Sequence, residues 1–276
     1  MKNVLKCGIS SNVLKTIAII AMVIDHIGVY FFPFLPSGVY SICRIVGRIA
    51  MPIFAYLIVQ GFFHTKDYKK YVLRLGILAV ITQISITVLM VINKIYVPEY
   101  IYAKYIYTNG NVLFTYIIGL ILIKIIHEDI LIKKWDYQKN MSLKIILVFL
   151  VLIATIFIPL DYGIEAVIMI LLMYFVEKLR IYIGINKSSY SANSILLRFV
   201  SDEKIKAIYT FLIASILFTI VIYFKKSWYT MFSIIPIMLY NHERGNSSKF
   251  LKYAFYIIFH LQHIVLYGLA LALMFT

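Results

Sequence analysis

Charge is scarce in this chain. Lys, Arg, Asp and Glu make up 14% of its 276 residues, where an ordinary soluble domain has about 25%. Hydrophobic residues reach 62%, and the stretches Leu75–Asn93, Ile145–Leu160, Ala207–Phe224 and Tyr253–Thr276 carry no charge at all. A water-soluble fold of this size could not hide so much apolar surface, so a soluble enzyme and a disordered tail are both excluded. A membrane-spanning helix, by contrast, needs roughly 17–25 mostly apolar residues. Cysteine is nearly absent: Cys7 and Cys43 form no CxxC pair and join no His/Cys cluster, which excludes a disulfide scaffold and a zinc site. Cys7 is expected on the cytoplasmic side and Cys43 near the outer side, so they should not bond to each other. No linker is long enough to divide the chain, which predicts a single domain over 1–276. No 20–50-residue repeat is visible, which weighs against an inverted-repeat transporter. No small-residue cleavage site follows the first apolar run, so that run reads as a span rather than a leader.

What the sequence has in abundance is apolar segments. Nine can be drawn, at about 13–34, 38–63, 70–92, 110–126, 142–160, 162–182, 205–224, 227–240 and 250–275. They predict an all-α, polytopic membrane protein, a single bundle of about nine transmembrane helices with a cytoplasmic N-terminus. The net charge of +15 follows this pattern. Twenty-one of the 27 basic residues fall on the N-terminal side, four on the other and two inside a span. That asymmetry is the positive-inside rule, so the charge marks topology and not a nucleic-acid partner. The longest polar stretches, Glu128–Asn140 and Gly184–Lys204, lie on the basic side and could each carry a short surface helix. Tyr96, Tyr100, Tyr102, Tyr105 and Tyr107 suit a headgroup-level aromatic belt. The bias toward Ile, Lys, Asn and Tyr suggests an AT-rich, bacterial genome; the expected location is a bacterial cell (inner or plasma) membrane, crossed several times.

Ionisable residues inside a span are costly, by about 2.5–3.5 kcal/mol or more at its centre, and they ordinarily face a cavity, pair or carry function. Here they are Asp25, His26, Arg44, Arg48, His260 and His263, with Asn111, Thr115, Asp161 and Glu165 near outer helix ends. At a rise of about 1.5 Å per residue, all six fall some 9–15 Å below the outer surface, from three different segments. Asp25 and His26 diverge by about 100° on a helix and cannot pair with each other. Asp25 is therefore expected to meet Arg44 or Arg48, leaving His26 to face a cavity. At the cytoplasmic end of the second segment, His64, Lys70 and Arg74 form a patch suited to phosphate.

These residues carry a family resemblance. Leu14–Ala18, Met22–Gly28 with Asp25 and His26, Gly47–Ala55, Gln60-Gly61-Phe62, His64-Thr65, Lys70-Tyr71 and Arg74-Leu75 resemble the TraX family of membrane proteins, named for a conjugal pilin N-acetyltransferase. Later fits are Asn111 with Phe114-Thr115 and Gly119, Asp161-Tyr162-Gly163, and Lys252-Tyr253 with Phe255-Tyr256. The last span departs from the family's Tyr-Pro then His: it reads Phe259-His260-Leu261-Gln262-His263, and which histidine takes the family position stays open. Ten residues separate Lys15 from His26, which resembles the basic-x10-His pattern of membrane acyltransferases that O-acetylate surface sugars.

The resemblance implies an acyltransferase using acetyl-CoA as donor. Within it His26 is the candidate general base, Arg48, Arg44 or Asn111 the donors to a developing oxyanion, and Asp25 the partner of an arginine. Lys15, His64, Lys70 and Arg74 would hold the donor, while Asn111, Thr115, Asp161, Tyr162, His260 and His263 would line the acceptor side. The acceptor (a pilin N-terminus, an amino sugar or a glycan) stays open, and no metal is called for. The alternative is a small-molecule or proton-coupled transporter using the same Asp, His and Arg set; a third is an inert assembly factor. The topology predicts that cysteines introduced near Lys133 will be labelled from the cytoplasm and not from outside; outside labelling overturns it.

Overall fold

The protein is described here by a computed structural model covering residues 8–96, 110–128, 136–189, 202–223, 228–245 and 248–274. Cys7, Lys133 and the tyrosines Tyr100, Tyr102, Tyr105 and Tyr107 lie outside the described residues. The helices are α1 Ser11–Tyr30, α2 Ser37–Gly47, α3 Ala50–His64, α4 Tyr68–Tyr96, α5 Val112–His127, α6 Tyr137–Phe157, α7 Gly163–Ser189, α8 Asp202–Tyr223, α9 Ile234–Met238 and α10 Lys249–Met274. Short 3₁₀ turns occupy Phe32–Phe34 and Trp228–Ser233. Among the described residues no strand forms, and the two isolated β-bridges pair Ile9 with Tyr240 and Gly110 with Leu160.

Local chemistry explains where several helices begin. The Ser10 side chain accepts from the Val13 N–H, Asn111 from Leu113 and Asp136 from Lys139, each satisfying a backbone donor that the first turn leaves without a partner. The Asp136 cap starts α6 at Tyr137, five residues before the apolar run at 142. Likewise α7 continues to Ser189, so residues 184–189 extend that helix, while 190–201 of the expected polar stretch lie outside the described residues.

The structure is all-helical as expected, and five of the nine expected crossings are matched by a helical segment of spanning length. Among the described residues five segments are long and apolar enough to cross a membrane: Ser11–Tyr30, Ser37–His64, Tyr68–Ile92, Tyr137–Phe157 and Tyr253–Met274. Val112–His127, Ile208–Ile222 and Trp228–Met238 are apolar but shorter. Segment 227–240 is no continuous helix, being a six-residue 3₁₀ turn followed by the five residues of α9. Glu177, Lys178 and Arg180 interrupt the apolar character of α7, and Glu177 is wholly buried and paired with Arg180.

The centre of the bundle is α3. Met51, Pro52, Ile53, Ala55, Tyr56, Leu57, Ile58, Val59 and Gln60 are all buried, because α3 packs against α1, α5 and α7. α1 in turn packs on α2, α3 and α10, and α4 on α5 and α10. The outermost helix, α6, buries only Asn140 and Thr155 and turns Ile145, Ile146, Phe149, Leu150, Ile153, Ile156 and Phe157 outward. An exposed apolar surface of that extent suits lipid, not water.

The second apolar segment breaks at Arg48-Ile49, where α2 ends and α3 begins. Arg44 and Arg48 lie four residues apart, hence on one face, and both turn to Asp25 of α1. Arg44 Nη1 donates to Asp25 Oδ2 at 2.8 Å, and Arg48 Nη2 lies 4.0 Å from Oδ1. Gly47 makes this approach possible: a Cβ there would overlap the Asp25 carboxylate. We therefore expect Gly47→Leu to lower the thermal midpoint, since overpacking typically costs about 1–3 kcal/mol. Gly38→Ala, where nothing lies within 4 Å of an added Cβ, is the control and should change nothing. Asp25→Ala should also destabilise, because removing one partner of a buried pair costs about 3–5 kcal/mol. Thermal unfolding in detergent reads both, and an unchanged midpoint for Asp25→Ala would show the pair to be structurally dispensable.

Candidate functional site

Two cavities lie end to end inside the bundle. The first, about 310 Å³, is lined by Asp25, His26, Arg44, Arg48, Asn111, Asp161, Tyr162 and His263 together with apolar groups. The second, about 480 Å³, is lined by Lys15, Gln60, His64, Arg74, His242 and Arg244, with a largely apolar interior. Phe54, Tyr116 and Phe259 line both and so form a shared wall of three rings; Phe54 and Phe259 meet edge to face at 6.5 Å between centroids.

One face of α1 runs along both. Asn12, Lys15 and Ile19 line the second cavity, and Met22, His26 and Val29 the first. Steps of three and four residues keep these side chains on a single stripe. The ten-residue gap between Lys15 and His26 thus has a geometric meaning: eleven positions are close to three full turns, so the two side chains share a face, with a rise between them of about 16 Å.

In the first cavity the Asp25 carboxylate is held between the two arginines, and His26 stands apart from it. The His26 ring lies 4.6 Å from that of His263, and its buried Nδ1 has no hydrogen-bond partner among the described residues. His263 Nδ1 is 2.8 Å from the Tyr30 hydroxyl, and Tyr30 sits one turn along α1 from His26. Tyr30, His26 and His263 therefore form one ring cluster. Tyr30 was not picked out by sequence; its position four residues after His26, on the same face, was the available signal.

Opposite α1, the Asp161-Tyr162 turn is clamped to the start of α5. Gly110 N–H donates to Pro159 O, Asp161 N–H to Gly110 O, and the Thr115 hydroxyl to Asp161 O at 2.7 Å. Tyr162 is held at φ 60°, a left-handed conformation uncommon for a side chain of its size. Such strain persists only where surrounding bonds overdetermine it, and it is frequent at functional sites.

The structure distributes the expected site residues unevenly. Asp25, His26, Arg44, Arg48, Asn111, Asp161, Tyr162 and His263 meet in the first cavity, and Lys15, His64 and Arg74 in the second. Asn111 is present but engaged: its amide donates to Ala79 O at 2.9 Å and to Gln83 Oε1 at 3.0 Å, while its Oδ1 caps α5. Its donors are thus already used, which leaves the arginines as the charged donors facing this space. Thr115 lies behind the wall on Asp161, and His260 lies 3.5 Å from the Thr82 hydroxyl, outside both cavities. Lys70 is exposed and bound to Asp67, whose carboxyl the Lys70 backbone N–H and side chain hold below its usual range. His242 and Arg244, which close the second cavity, come from the loop after α9 and gave no recognisable motif.

Residues 10–270 match the family described as "TraX protein". The chain is 32% identical over 169 residues to a probable fimbrial assembly protein FimC, serogroup H1, of Dichelobacter nodosus, covering 60% of this chain and 62% of that one. It is 41% identical over 103 residues to an uncharacterised protein of Rickettsia prowazekii (strain Madrid E), covering 36% of this chain and 38% of the other. The matched stretch thus spans less than two thirds of either relative's length. No solved structure matches the chain. Since the family match runs through α1 to α10 and takes in both cavities, this chain belongs to the TraX family.

Proposed function

We propose that this protein is a multi-pass acyltransferase of a bacterial cell membrane, with its N-terminus cytoplasmic, moving an acetyl group from acetyl-CoA to an acceptor in the first cavity. The observation that carries this reading is the pair of cavities along α1, one basic at its rim and one holding an imidazole beside paired arginines. A cytosolic thioester with a polyanionic head and a thin arm suits the second cavity. An acceptor amine or hydroxyl suits the first. The relative named as a fimbrial assembly protein favours a pilin-type amine among the possible acceptors.

The chemistry asks for three things. A base must take the acceptor's proton as its nitrogen or oxygen bonds to the acyl carbon. Charge must then be stabilised on the carbonyl oxygen, and finally the C–S bond must break to release the CoA thiolate. His26 serves as the base, since an imidazole can accept a proton and its Nδ1 has no hydrogen-bond partner among the described residues. Arg48 is the better oxyanion donor of the two arginines, because Arg44 is the one bonded tightly to Asp25. Asp25 is a positioning residue that holds both guanidinium groups. The proton returns from His26 to the departing thiolate or to water.

A carrier would use the same buried groups without a thioester, so donor dependence separates the two readings: acetyl-CoA hydrolysis by the purified protein supports the enzyme, and solute flux without CoA the carrier. His26→Gln should lower acetyl transfer by about 10²–10⁴-fold while CoA binding and thermal stability persist. Gln keeps a polar group of similar reach but cannot take a proton. Full activity in His26→Gln would remove His26 as base and move the search to His263.

A further inference from the structure

The second cavity holds a buried polar group that nothing in the fold uses. Gln60 lies on α3, 3% exposed, and lines this cavity, yet neither its Nε2 nor its Oε1 has a hydrogen-bond partner among the described residues. Its neighbours on the helix are fully committed: the Gln60 backbone oxygen accepts from His64 Nδ1 at 2.8 Å, and Gly61 lets the Tyr71 hydroxyl approach α3 where a Cβ would collide with it. A buried carboxamide left without partners is costly, and proteins rarely retain one unless something else completes it.

The cavity itself narrows the choice of what completes it. Its basic side chains are graded by depth: His64, Arg74 and Arg244 are exposed and Lys15 is half-buried, while Gln60 is the buried polar end. Leu57, Ile58, Leu75 and Leu78 line the space between with apolar surface. A ligand that fits this profile carries anionic groups at one end and a slender, mostly apolar arm that reaches inward. At Gln60 that arm must offer a donor and an acceptor together. A secondary amide carries both: its C=O can accept from Gln60 Nε2, or its N–H can donate to Gln60 Oε1. A free phosphate or nucleotide head would instead be satisfied at the rim and would leave Gln60 unpaired.

We infer that Gln60 is the specificity residue of the donor pocket, reading an amide of the pantetheine arm of a CoA thioester while Arg74, Arg244 and Lys15 take its phosphates. This rests on the acyl-CoA reading above and adds to it the residue that distinguishes CoA from other anions. It also assigns the Gln60-Gly61 pair two jobs: the first side chain meets the arm, and the second, lacking one, lets Tyr71 close the wall beside it.

The test measures binding to the purified full-length protein by calorimetry, with two probes. CoA carries the arm, and adenosine 3′,5′-bisphosphate carries the nucleoside and phosphates without it. Gln60→Leu should weaken CoA by about tenfold or more and leave the bisphosphate unchanged, as expected for loss of a buried hydrogen-bonded pair. Arg74→Gln should weaken both probes. Should Gln60→Leu not fold, Gln60→Met, a flexible unbranched replacement, carries the same expectation. Unchanged CoA binding in the Gln60 variant, as would follow if water alone satisfied the carboxamide, overturns the inference and leaves the acyl-CoA reading standing. Equal weakening of both probes also overturns it. Failure of the wild-type protein to bind CoA overturns the acyl-CoA reading and this inference together.

Discussion

Asp25, Arg44 and Arg48 bring three formal charges into a bundle whose outer surface is made for lipid. Taking such groups out of water costs several kcal/mol each, recovered only when their geometry and hydrogen bonding are good. Here the geometry is supplied by a break in a helix. α2 ends at Gly47-Arg48 and α3 restarts at Ala50, with both arginines against Asp25 of α1. Gly47 sits at the contact because no side chain fits between the backbone and Asp25. The rest of the site hangs on this joint. With Asp25 engaged by the arginines, the adjacent His26 points to a different side and faces the cavity with His263.

From that joint α3 runs through the centre of the bundle, packed between α1, α5 and α7. It starts at the charged cluster, passes the shared ring wall at Phe54, and ends at the basic rim at His64. α1 and α10 make the same traverse, with Lys15 and Tyr256 at one cavity and His26 and His263 at the other. Three helices thus connect two chemically different spaces over a few turns. Phe54, Tyr116 and Phe259 stand where the two spaces adjoin.

Much of this was legible beforehand, for reasons that differ by residue. Asp25, Arg44, Arg48, His26 and His263 stood out because lipid makes charge expensive, so any ionisable residue inside an apolar run is informative by itself. Their common depth followed from helical rise alone. Helix starts were readable in principle from Ser10, Asn111 and Asp136, although α6 begins five residues earlier than its apolar run because its cap, not its hydrophobicity, sets the end. Hydropathy alone does not tell a continuous helix from an irregular apolar segment: Trp228–Met238 is a 3₁₀ turn followed by a short helix. Asn111 lines the cavity, but its two donors are spent on Ala79 and Gln83 of α4, 32 and 28 positions back in the chain and beyond what a local pattern records.

By itself, then, the sequence determined that this is an all-helical membrane protein of the TraX family and which ionisable residues its apolar segments contain, because composition, periodicity and the cost of charge in hydrocarbon are local properties. Only the tertiary structure decided which arginine bonds Asp25, that His263 and not His260 faces His26, that Tyr30 joins them, and that Gln60 stands unpartnered in a second cavity. Those outcomes depend on helix rotation and on a break between Gly47 and Ala50. A rotation of one residue, about 100°, would exchange His260 for another face of α10 while leaving every local pattern in the sequence unchanged.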